Sequence, residues 1–377
     1  MKKVYIQSDS MITSLGQTTE ENFNNLRKNI TGVKMHHTGN IYKELPLSLI
    51  DKESFHQKAQ AIIEDFGSYT FFEQIMLWSV LDAMAKSSID PKSKRSIFII
   101  STTKGNVELL KTQEGRQSNE FALWHSAKRI SHYFGNPNEP IVVSNACVSG
   151  VMAVNTASQL LQSGAYDHAI VIGADVVSDF VIAGFMSFMA LSSKPCKPFD
   201  DHRDGLSLGE GAGCLILSSE HPSDMSIIGG ANANDANHIS GPSRTAEGLF
   251  LAMQNAMNEA KISVEDINYV SAHGTATMYN DEMESIAIQR CGLQKTPVNS
   301  FKGYWGHTLG ASGIIEIIAS VQSMHENQLI KSLGFEGKEE GEAINVITEN
   351  TQKELKTIIK TAAGFGGANS AIILQKA

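Results

Sequence analysis

The 377-residue sequence is poor in several residue types that mark familiar protein classes. It has four cysteines, at positions 147, 196, 214 and 291, and none of them forms a C-x-x-C pair. This scarcity argues against a disulfide framework and against a zinc site, and it suits a reducing cytosol. The chain has 9 prolines and no low-complexity tract, so it is not a linker-rich protein either.

No segment has the composition of a targeting or membrane-spanning element. Only three apolar residues lie between the two initial lysines and Gln7, too few for the apolar core of a signal peptide. The longest apolar stretch, residues 180–191, is interrupted by Gly184 and Ser187 and is too short for a bilayer span. The formal net charge of −9 argues against general nucleic-acid binding. We therefore expect a cytoplasmic location, with no membrane span and no nucleic-acid partner.

The sequence does contain short apolar strand patterns that alternate with helical patterns. Residues 95–101 and 169–174 read as buried strands, whereas residues 121–134 and 245–260 carry helical periodicity. This alternation predicts an α/β protein with largely buried sheets. The length and the 42% hydrophobic content allow a large core, organised as two fused halves. Turn residues near position 220 place the boundary between residues 1–220 and 221–377.

The segment around Cys147 organises the rest of the chain. Residues 141–143 read as a short buried strand, and a helical pattern runs from Val151 to Gly164. Cys147 therefore lies where a strand turns into a helix, and there the free N–H groups and the helix dipole favour a thiolate. A thiol at this point is a candidate nucleophile. The alternative is a packed core cysteine, since free cysteine is among the most buried residue types.

Five other positions are candidates for a role in carbonyl chemistry. His273 and His307 lie among small residues at strand ends, where a histidine can donate a hydrogen bond to a carbonyl oxygen that gains charge. Lys302 and Glu316 are charged residues in apolar surroundings, and we predict that they form a buried pair; the alternative is that both are exposed. The glycine-rich residues 364–367 predict a close backbone approach to a ligand, with the Phe365 N–H as an oxyanion donor.

Five motifs in order resemble one known family. They are NACVSG at residues 145–150, KPFD-x3-DG-x3-GEGAG at 197–213, AHGTAT at 272–277, NS-x-K-x3-GHTLGA-x-G at 299–313 and GFGGAN at 364–369. Together they resemble the β-ketoacyl-acyl-carrier-protein synthases of the elongating type, a branch of the thiolase-like condensing enzymes. The resemblance implies a five-layered αβαβα fold made of two similar halves, usually assembled as a dimer.

The resemblance also implies a reaction. Cys147 would take an acyl chain from a carrier-protein thioester. His273 and His307 would hold the malonyl thioester carbonyl while CO2 leaves, and the resulting enolate would capture the acyl group. No metal or organic cofactor is expected, because the phosphopantetheine arrives on the acyl carrier protein.

Further residues take supporting roles by the same resemblance. Lys302 would organise the site together with Glu316. The N–H groups of Cys147 and Phe365 would form the oxyanion hole, with Phe365 gating the two half-reactions. The phosphopantetheine arm would be contacted by two hydroxyl side chains, those of Thr275 and Thr277.

The chain departs from the family pattern in its first half. Residues 101–105 read STTKG where relatives often have a glycine-rich turn, and Met189 stands where an arginine is common. Few cations remain for an acidic carrier protein. We predict docking at Lys128 and Arg129, with Lys194 and Lys197 as weaker candidates, and a plain surface role is the alternative for each. An acyl tunnel or a dimer contact is predicted for Phe180, Phe185, Met186, Phe188 and Met189, with ordinary core packing as the alternative.

Several functions remain open at this point. The leading hypothesis is a synthase for fatty-acid, polyketide or aryl-polyene-type chains. The chain could also be the catalytic or the non-catalytic subunit of a type II polyketide or aryl-polyene ketosynthase heterodimer. A thiolase fits less well, since thiolases typically pair one histidine with a second cysteine and this chain offers two histidines. A cysteine hydrolase also fits less well, since it would leave Lys302 and the second histidine unexplained. Acyl chain length, saturation, starter unit, pathway and the choice between homodimer and heterodimer are not determined by the sequence.

Overall fold

The computed structural model describes residues 2–38, 44–235, 241–337 and 344–377. The helices among these residues are α1 (Thr19–Arg27), α2 (Lys52–Ala59), α3 (Phe71–Met84), α4 (Gln113–Gln117), α5 (Leu123–Tyr133), α6 (Ser149–Gln162), α7 (Asp179–Ser187), α8 (Glu247–Ala260), α9 (Met278–Arg290), α10 (Lys302–Trp305) and α11 (Ser312–Glu326). The strands are β1 (Val4–Thr13), β2 (Lys34–His36), β3 (Leu45–Ser48), β4 (Ser96–Ser101), β5 (Ile141–Val143), β6 (His168–Asp175), β7 (Leu208–Gly209), β8 (Gly211–Ser218), β9 (Met225–Asn234), β10 (Tyr269–Ser271), β11 (Pro297–Asn299), β12 (Gln328–Leu329), β13 (Asn345–Val346), β14 (Thr351–Gln352), β15 (Thr357–Gly364) and β16 (Ala368–Lys376).

The main sheet consists of two halves with the same strand pairing. In the first half the order is β1-β8-β6-β4-β5, with two antiparallel pairings followed by two parallel ones. In the second half β9-β16-β15-β10-β11 repeats this pattern, and β13 adds one more parallel strand. The halves join through a short antiparallel pairing of β1 with β9. The predicted pair of similar halves is therefore present.

The helices lie in three layers around these strands. Helices α6 and α11 pack on each other and contact strands of both halves. On the outer face of the first half, α3 packs on β8, β1 and β6, and α5 packs beside it. On the outer face of the second half, α8 covers β9, β16 and β15 and contacts α9. The order is αβαβα, as the resemblance implies. The division of the chain at residue 220 stays a prediction.

Local boundaries differ from the sequence-based expectations where tertiary pairing intervenes. Residues 10–16 read as a turn, but β1 continues to Thr13 because it pairs with β8 as far as Gly211. The apolar pattern of residues 55–85 predicts one long amphipathic region, but the structure divides it into α2 and α3, and α3 begins with a capping box between Thr70 and Glu73. Strand β5 is half-buried rather than buried, since it lies at the edge of the sheet.

The apolar segment at residues 180–191 forms a short helix. Helix α7 ends at Ser187, and Met189 then adopts a positive φ of 53°. Across the described parts of the chain, every helix is too short or too polar to cross a bilayer.

The two central helices touch backbone to backbone. A Cβ added at Gly313 would lie 2.4 Å from the Val151 nitrogen, and one added at Gly150 would lie 2.8 Å from the Ile314 nitrogen. Real side chains do not tolerate such distances, so glycine is required at both positions for α6 and α11 to pack this closely. This contact sets the distance between the two halves at the centre of the molecule.

We expect Gly313→Ala to lower the free energy of unfolding by about 2 kcal/mol, because the added methyl group forces the central helices apart. Gly184→Ala is the matched control: it also lies in a helix, and nothing is within 4 Å of its added Cβ. The control should leave stability unchanged or raise it by about 0.5 kcal/mol. Guanidinium denaturation followed by circular dichroism measures both. Equal midpoints for the two variants would contradict the close-packing argument.

Candidate active site

Cys147 lies in a strained turn between β5 and α6. Ala146 has a positive φ of 45°, an uncommon conformation for a residue with a side chain. Ser149 holds the turn, since its hydroxyl donates to the Ala146 carbonyl at 2.6 Å and accepts the Asn145 N–H at 2.8 Å. The turn points the Cys147 side chain into a cavity rather than into the core. The sequence-based position at a strand-to-helix turn is confirmed.

The protonation state of Cys147 differs from the sequence-based expectation. Burial raises its pKa to about 12, and the positive charges of Lys302 and Lys104 offset this only in part. Burial therefore opposes the thiolate expected at the helix N-terminus, and desolvation is the largest influence on the pKa of this group. The resting group is a thiol.

His307 lies directly beside this thiol. Its Nε2 is 3.0 Å from the Cys147 sulfur. Its Nδ1 accepts the Leu309 backbone N–H at 3.3 Å and lies 2.9 Å from the Ser312 hydroxyl. Because Nδ1 acts as an acceptor, the hydrogen-bond network assigns the proton to Nε2, which faces the sulfur and the cavity.

His273 has the same tautomer for a different reason. Lys302 Nζ lies 3.2 Å from His273 Nδ1, and an ammonium group can only donate. The proton of a neutral His273 is therefore on Nε2. Burial, followed by the charge of Lys302, lowers the pKa of both histidines well below the usual value, so both are neutral. The two rings are perpendicular, with centroids 5.2 Å apart.

The predicted pair of Lys302 and Glu316 is present and fully buried. Lys302 Nζ is 2.7 Å from Glu316 Oε1 and also donates to the His273 carbonyl at 2.5 Å. The structure adds a second cation that sequence reasoning missed: Lys360 Nζ is 2.6 Å from Glu316 Oε2 and fully buried. A signal existed, because Lys360 is the one charged residue in the apolar strand β15.

Asp175 is another buried residue that sequence reasoning missed. It accepts the backbone N–H of Gly310 at 2.7 Å, and so ties β6 to the loop that follows His307. It also accepts the Thr103 N–H at 3.0 Å and the Thr102 hydroxyl at 2.8 Å, both just beyond β4. Its position at the end of a buried apolar strand, next to another strand end, was the available signal.

The loop that carries His273 is held by two buried carboxylates of α9. Glu284 accepts the His273 and Gly274 N–H groups, each at 2.7 Å. Asp281 accepts the Thr275 and Ala276 N–H groups at 2.9 and 3.1 Å. The backbone of this loop is therefore fixed from one side, and its side chains face the cavity.

These groups surround one cavity of about 500 Å3. Cys147 and the two imidazoles line it. Phe365 lines it too, with its ring centroid 5.0 Å from that of Phe188 and 6.0 Å from that of Phe185. The hydroxyls of Thr275 and Thr277, 2.8 Å apart, are also at the wall. The structure thus brings together the sequence-predicted lining residues Cys147, His273, His307, Phe365, Thr275, Thr277, Phe185, Phe188 and Met189.

The sequence-predicted docking cations lie away from this cavity wall. Arg129 is paired with buried Glu73 at 3.1 Å and stacks over Tyr69 at 4.5 Å, so its charge is neutralised within the protein. Lys128 forms an exposed pair with Glu139 at 3.0 Å. Among the weaker candidates, Lys197 pairs with Glu336 at 2.8 Å and Lys194 is exposed. Docking at these residues stays a prediction.

The donor set of the site favours an oxygen over a metal ion. The ligand atoms of Cys147, His273 and His307 lie within 4.8 Å of one another, close enough for one ion. A metal needs unprotonated Nε2 atoms, which would move a proton to each Nδ1. A proton on Nδ1 of His273 would face the Lys302 ammonium, and one on Nδ1 of His307 would face the Leu309 N–H. The arrangement therefore suits two N–H donors aimed at a carbonyl oxygen.

Comparison with known proteins agrees with this geometry. A fold of two similar halves in an αβαβα arrangement is that of the thiolase-like enzymes. The model of the beta-ketoacyl synthase N-terminal domain matches residues 1–223, and that of the C-terminal domain matches residues 225–336. The chain belongs to the β-ketoacyl synthase family.

Individual relatives span the chain at moderate identity. The 3-oxoacyl-acyl-carrier-protein synthase 2 of Vibrio cholerae is 27% identical over 100% of this chain and 99% of its own length. That of Coxiella burnetii is 31% identical over 66% of this chain and 64% of its own length. A beta-ketoacyl synthase from Burkholderia phymatum superposes with a TM-score of 0.90 at 24% identity, covering all of both chains. The ketosynthase ApeO in complex with its chain length factor ApeC, from Xenorhabdus doucetiae, gives 0.88 at 24% over 100% of this chain and 98% of the other.

The raised pKa of Cys147 predicts how its reactivity depends on pH. Alkylation by iodoacetamide requires the thiolate, and a pKa raised by burial keeps the thiolate fraction small at neutral pH. We expect the rate to climb throughout pH 7 to pH 10 without levelling off. Intact mass against time measures it, with Cys147→Ala as the background for the three other buried cysteines. A plateau below pH 8 would show that the helix N-terminus lowers the pKa after all.

Proposed function

We propose that the protein is a β-ketoacyl-acyl-carrier-protein synthase, which joins an acyl group to a malonyl unit with loss of CO2. The observation that carries the proposal is the convergence of one thiol and two neutral Nε2–H donors on one cavity. A thiol beside a single histidine would suffice for a hydrolase. A decarboxylation also needs donors for the enolate oxygen. His273, whose tautomer is fixed by Lys302, supplies a second Nε2–H for it.

The first half-reaction loads the acyl chain. The Cys147 sulfur attacks the thioester carbonyl of an acyl carrier protein, a new carbon–sulfur bond forms, and the carrier thiolate leaves and takes up the proton that Cys147 loses. Since the resting group is a thiol, its proton has to depart as the attack proceeds. The Nε2–H of His307, 3.0 Å away, stabilises the developing negative charge on sulfur.

The second half-reaction forms the carbon–carbon bond. The thioester carbonyl of a malonyl carrier protein accepts hydrogen bonds from Nε2–H of both His273 and His307. The carbon–carbon bond to the carboxylate breaks and CO2 leaves. The electron pair of that bond forms an enolate, whose oxygen is held by the two Nε2–H donors. The enolate carbon attacks the acyl-Cys147 carbonyl, and the Cys147 thiolate leaves and is reprotonated. Donors rather than bases suit this step, because charge develops on oxygen.

The remaining roles complete the proposal. The N–H groups of Cys147 and Phe365 form the oxyanion hole for the acyl carbonyl, and Phe365 gates the cavity between the two half-reactions. The position of Phe365 among Phe185 and Phe188 at the cavity supports the gate. Thr275 and Thr277 bind the phosphopantetheine arm of the carrier. No metal or organic cofactor takes part, and the location is the cytoplasm, in keeping with four free, buried cysteines.

The test is intact-protein mass after incubation with acyl carrier thioesters of graded length. Wild type should gain the mass of the acyl group, and Cys147→Ala should not, because no other cysteine reaches the cavity wall. With malonyl carrier protein present, a β-ketoacyl product should form. Thioester hydrolysis without a carbon–carbon bond would contradict the proposal in favour of a hydrolase, and transfer to coenzyme A would favour a thiolase.

His273→Ala should separate the two half-reactions. Loading of Cys147 should persist, whereas malonyl decarboxylation should slow by about 100-fold or more, since one of two oxyanion donors is lost. His273→Gln, which keeps a side-chain N–H, is the control and should retain more activity. The rate of CO2 release measures both. Equal loss of loading and decarboxylation would argue against a role confined to the second half-reaction.

Two partner subunits are candidates: a second copy of this chain and a different, ketosynthase-like chain. Phe180 and Phe188 are 57% and 49% exposed, and β5 is a half-buried edge strand. Such apolar exposure favours a dimer. The dimer is a homodimer, or alternatively a heterodimer with a second, ketosynthase-like chain. Light scattering on the purified chain distinguishes them: a dimer mass supports the first, and an inactive monomer supports the second.

A further inference from the structure

Lys360 is a buried lysine that the proposed reaction does not use. It lies in the middle of β15, fully buried, with Nζ 2.6 Å from Glu316 Oε2 and 3.0 Å from the Ala272 carbonyl oxygen. Ala272 directly precedes His273. Lys360 therefore binds both the carboxylate behind the histidine and the backbone that carries it.

Glu316 consequently serves two lysines, one on each oxygen. Oε1 accepts from Lys302 and Oε2 pairs with Lys360. Lys302 uses its three protons on Glu316 Oε1, the His273 carbonyl and His273 Nδ1. Because Lys360 occupies the second oxygen, Glu316 is unable to turn both oxygens towards Lys302 and draw it away from the histidine.

Buried charges of both signs lie behind His273. Two lysines, Lys302 and Lys360, lie near two buried carboxylates, Glu316 and Glu284. Glu284 reaches this set through Thr361, whose hydroxyl donates to its Oε1 at 2.6 Å. Lys302 alone already pairs with Glu316 at 2.7 Å, so the second lysine on this carboxylate calls for a further role.

We propose that Lys360 is a positioning residue for the second half-reaction: it holds Glu316 and the Ala272 carbonyl so that Lys302 stays on His273 Nδ1 and the His273 Nε2–H points into the cavity. Its catalytic consequence rests on the proposed function. Its effect on the state of His273 does not, and can be measured separately.

The substitution Lys360→Met keeps the length of the side chain and removes the charge. Acyl loading of Cys147 should stay within about twofold of wild type. The kcat for malonyl decarboxylation should fall by about 10- to 100-fold, with KM nearly unchanged, as for outer residues that orient a reacting group. A loss shared by both half-reactions would overturn the proposal, because Lys360 would then be merely structural.

Lys376→Met is the matched control. Lys376 lies on the neighbouring strand β16 and donates to the Met324 and His325 carbonyls at the end of α11, the helix that carries Glu316. It ties the same helix to the sheet without touching Glu316. The control should keep both half-reactions. An equal loss of decarboxylation in the two lysine variants would overturn the proposal.

The path through Glu316 is tested by a double-mutant cycle. If Lys360 acts through this carboxylate, Glu316→Gln and Lys360→Met should be strongly non-additive, and the double variant should be little worse than Glu316→Gln alone. Additive losses would overturn the proposed path. If Lys360→Met does not fold, Lys360→Gln takes its place. Its amide N–H groups can donate to Glu316 Oε2 and to the Ala272 carbonyl, so it should keep more decarboxylation activity than Lys360→Ala.

Nitrogen NMR of the His273 ring reads its state without any reaction. In wild type the ring should stay neutral with the proton on Nε2 as the pH falls through 6. In Lys360→Met it should take up a proton at a higher pH, since one nearby positive charge is lost and Lys302 is no longer confined. An unchanged titration would overturn the inference even if the enzyme is active, whereas a shifted titration in a protein that forms no β-ketoacyl product would overturn the proposed function alone. Within the described parts of the chain, the titratable groups around the ring include Lys302, His307, Cys147, Glu316, Lys360 and Glu284.

Discussion

A buried carboxylate between two ammonium groups is the constraint on which the site depends. Transferring one unpaired ion into the interior costs on the order of several kcal/mol, so Glu316 is stable there only with its partners. Those partners come from α10 and β15, whereas Glu316 comes from α11. The electrostatic demand of one residue thus fixes three elements relative to each other. The tautomer of His273 follows from this, because Lys302 has a donor left for Nδ1.

The active site draws on both halves of the fold. The first half supplies Cys147 at the start of α6, and the second half supplies the histidines and lysines. They meet because α6 and α11 pack backbone to backbone in the central layer, where Gly150 and Gly313 leave room for no side chain. A thiol and an imidazole 160 residues apart in sequence consequently lie 3.0 Å apart. The strand pairing is repeated in the two halves, and Cys147 follows β5 in the first half whereas His273 follows β10 in the second.

Burial determines the protonation states, and these states determine the chemistry. Desolvation raises the pKa of Cys147 and lowers the pKa of His273 and His307, so the resting site holds neutral groups in spite of the lysines nearby. Neutral imidazoles with protonated Nε2 are donors, and donors stabilise an enolate oxygen better than they abstract protons.

The sequence alone predicted the α/β class, the strand-to-helix turn that carries Cys147 and the pairing of Lys302 with Glu316. It also identified His273 and His307 as candidate hydrogen-bond donors. These follow from local patterns, because strand and helix periods, glycine-rich turns and charges in apolar segments are visible within a few residues. Only the tertiary structure showed that Lys360 completes the carboxylate site and that Asp175 holds the loop of His307, since both act on residues distant in sequence. It also showed that burial raises the pKa of Cys147 and that Arg129 pairs with Glu73. Desolvation and pairing depend on what the rest of the chain packs around a group, and no local pattern contains that information.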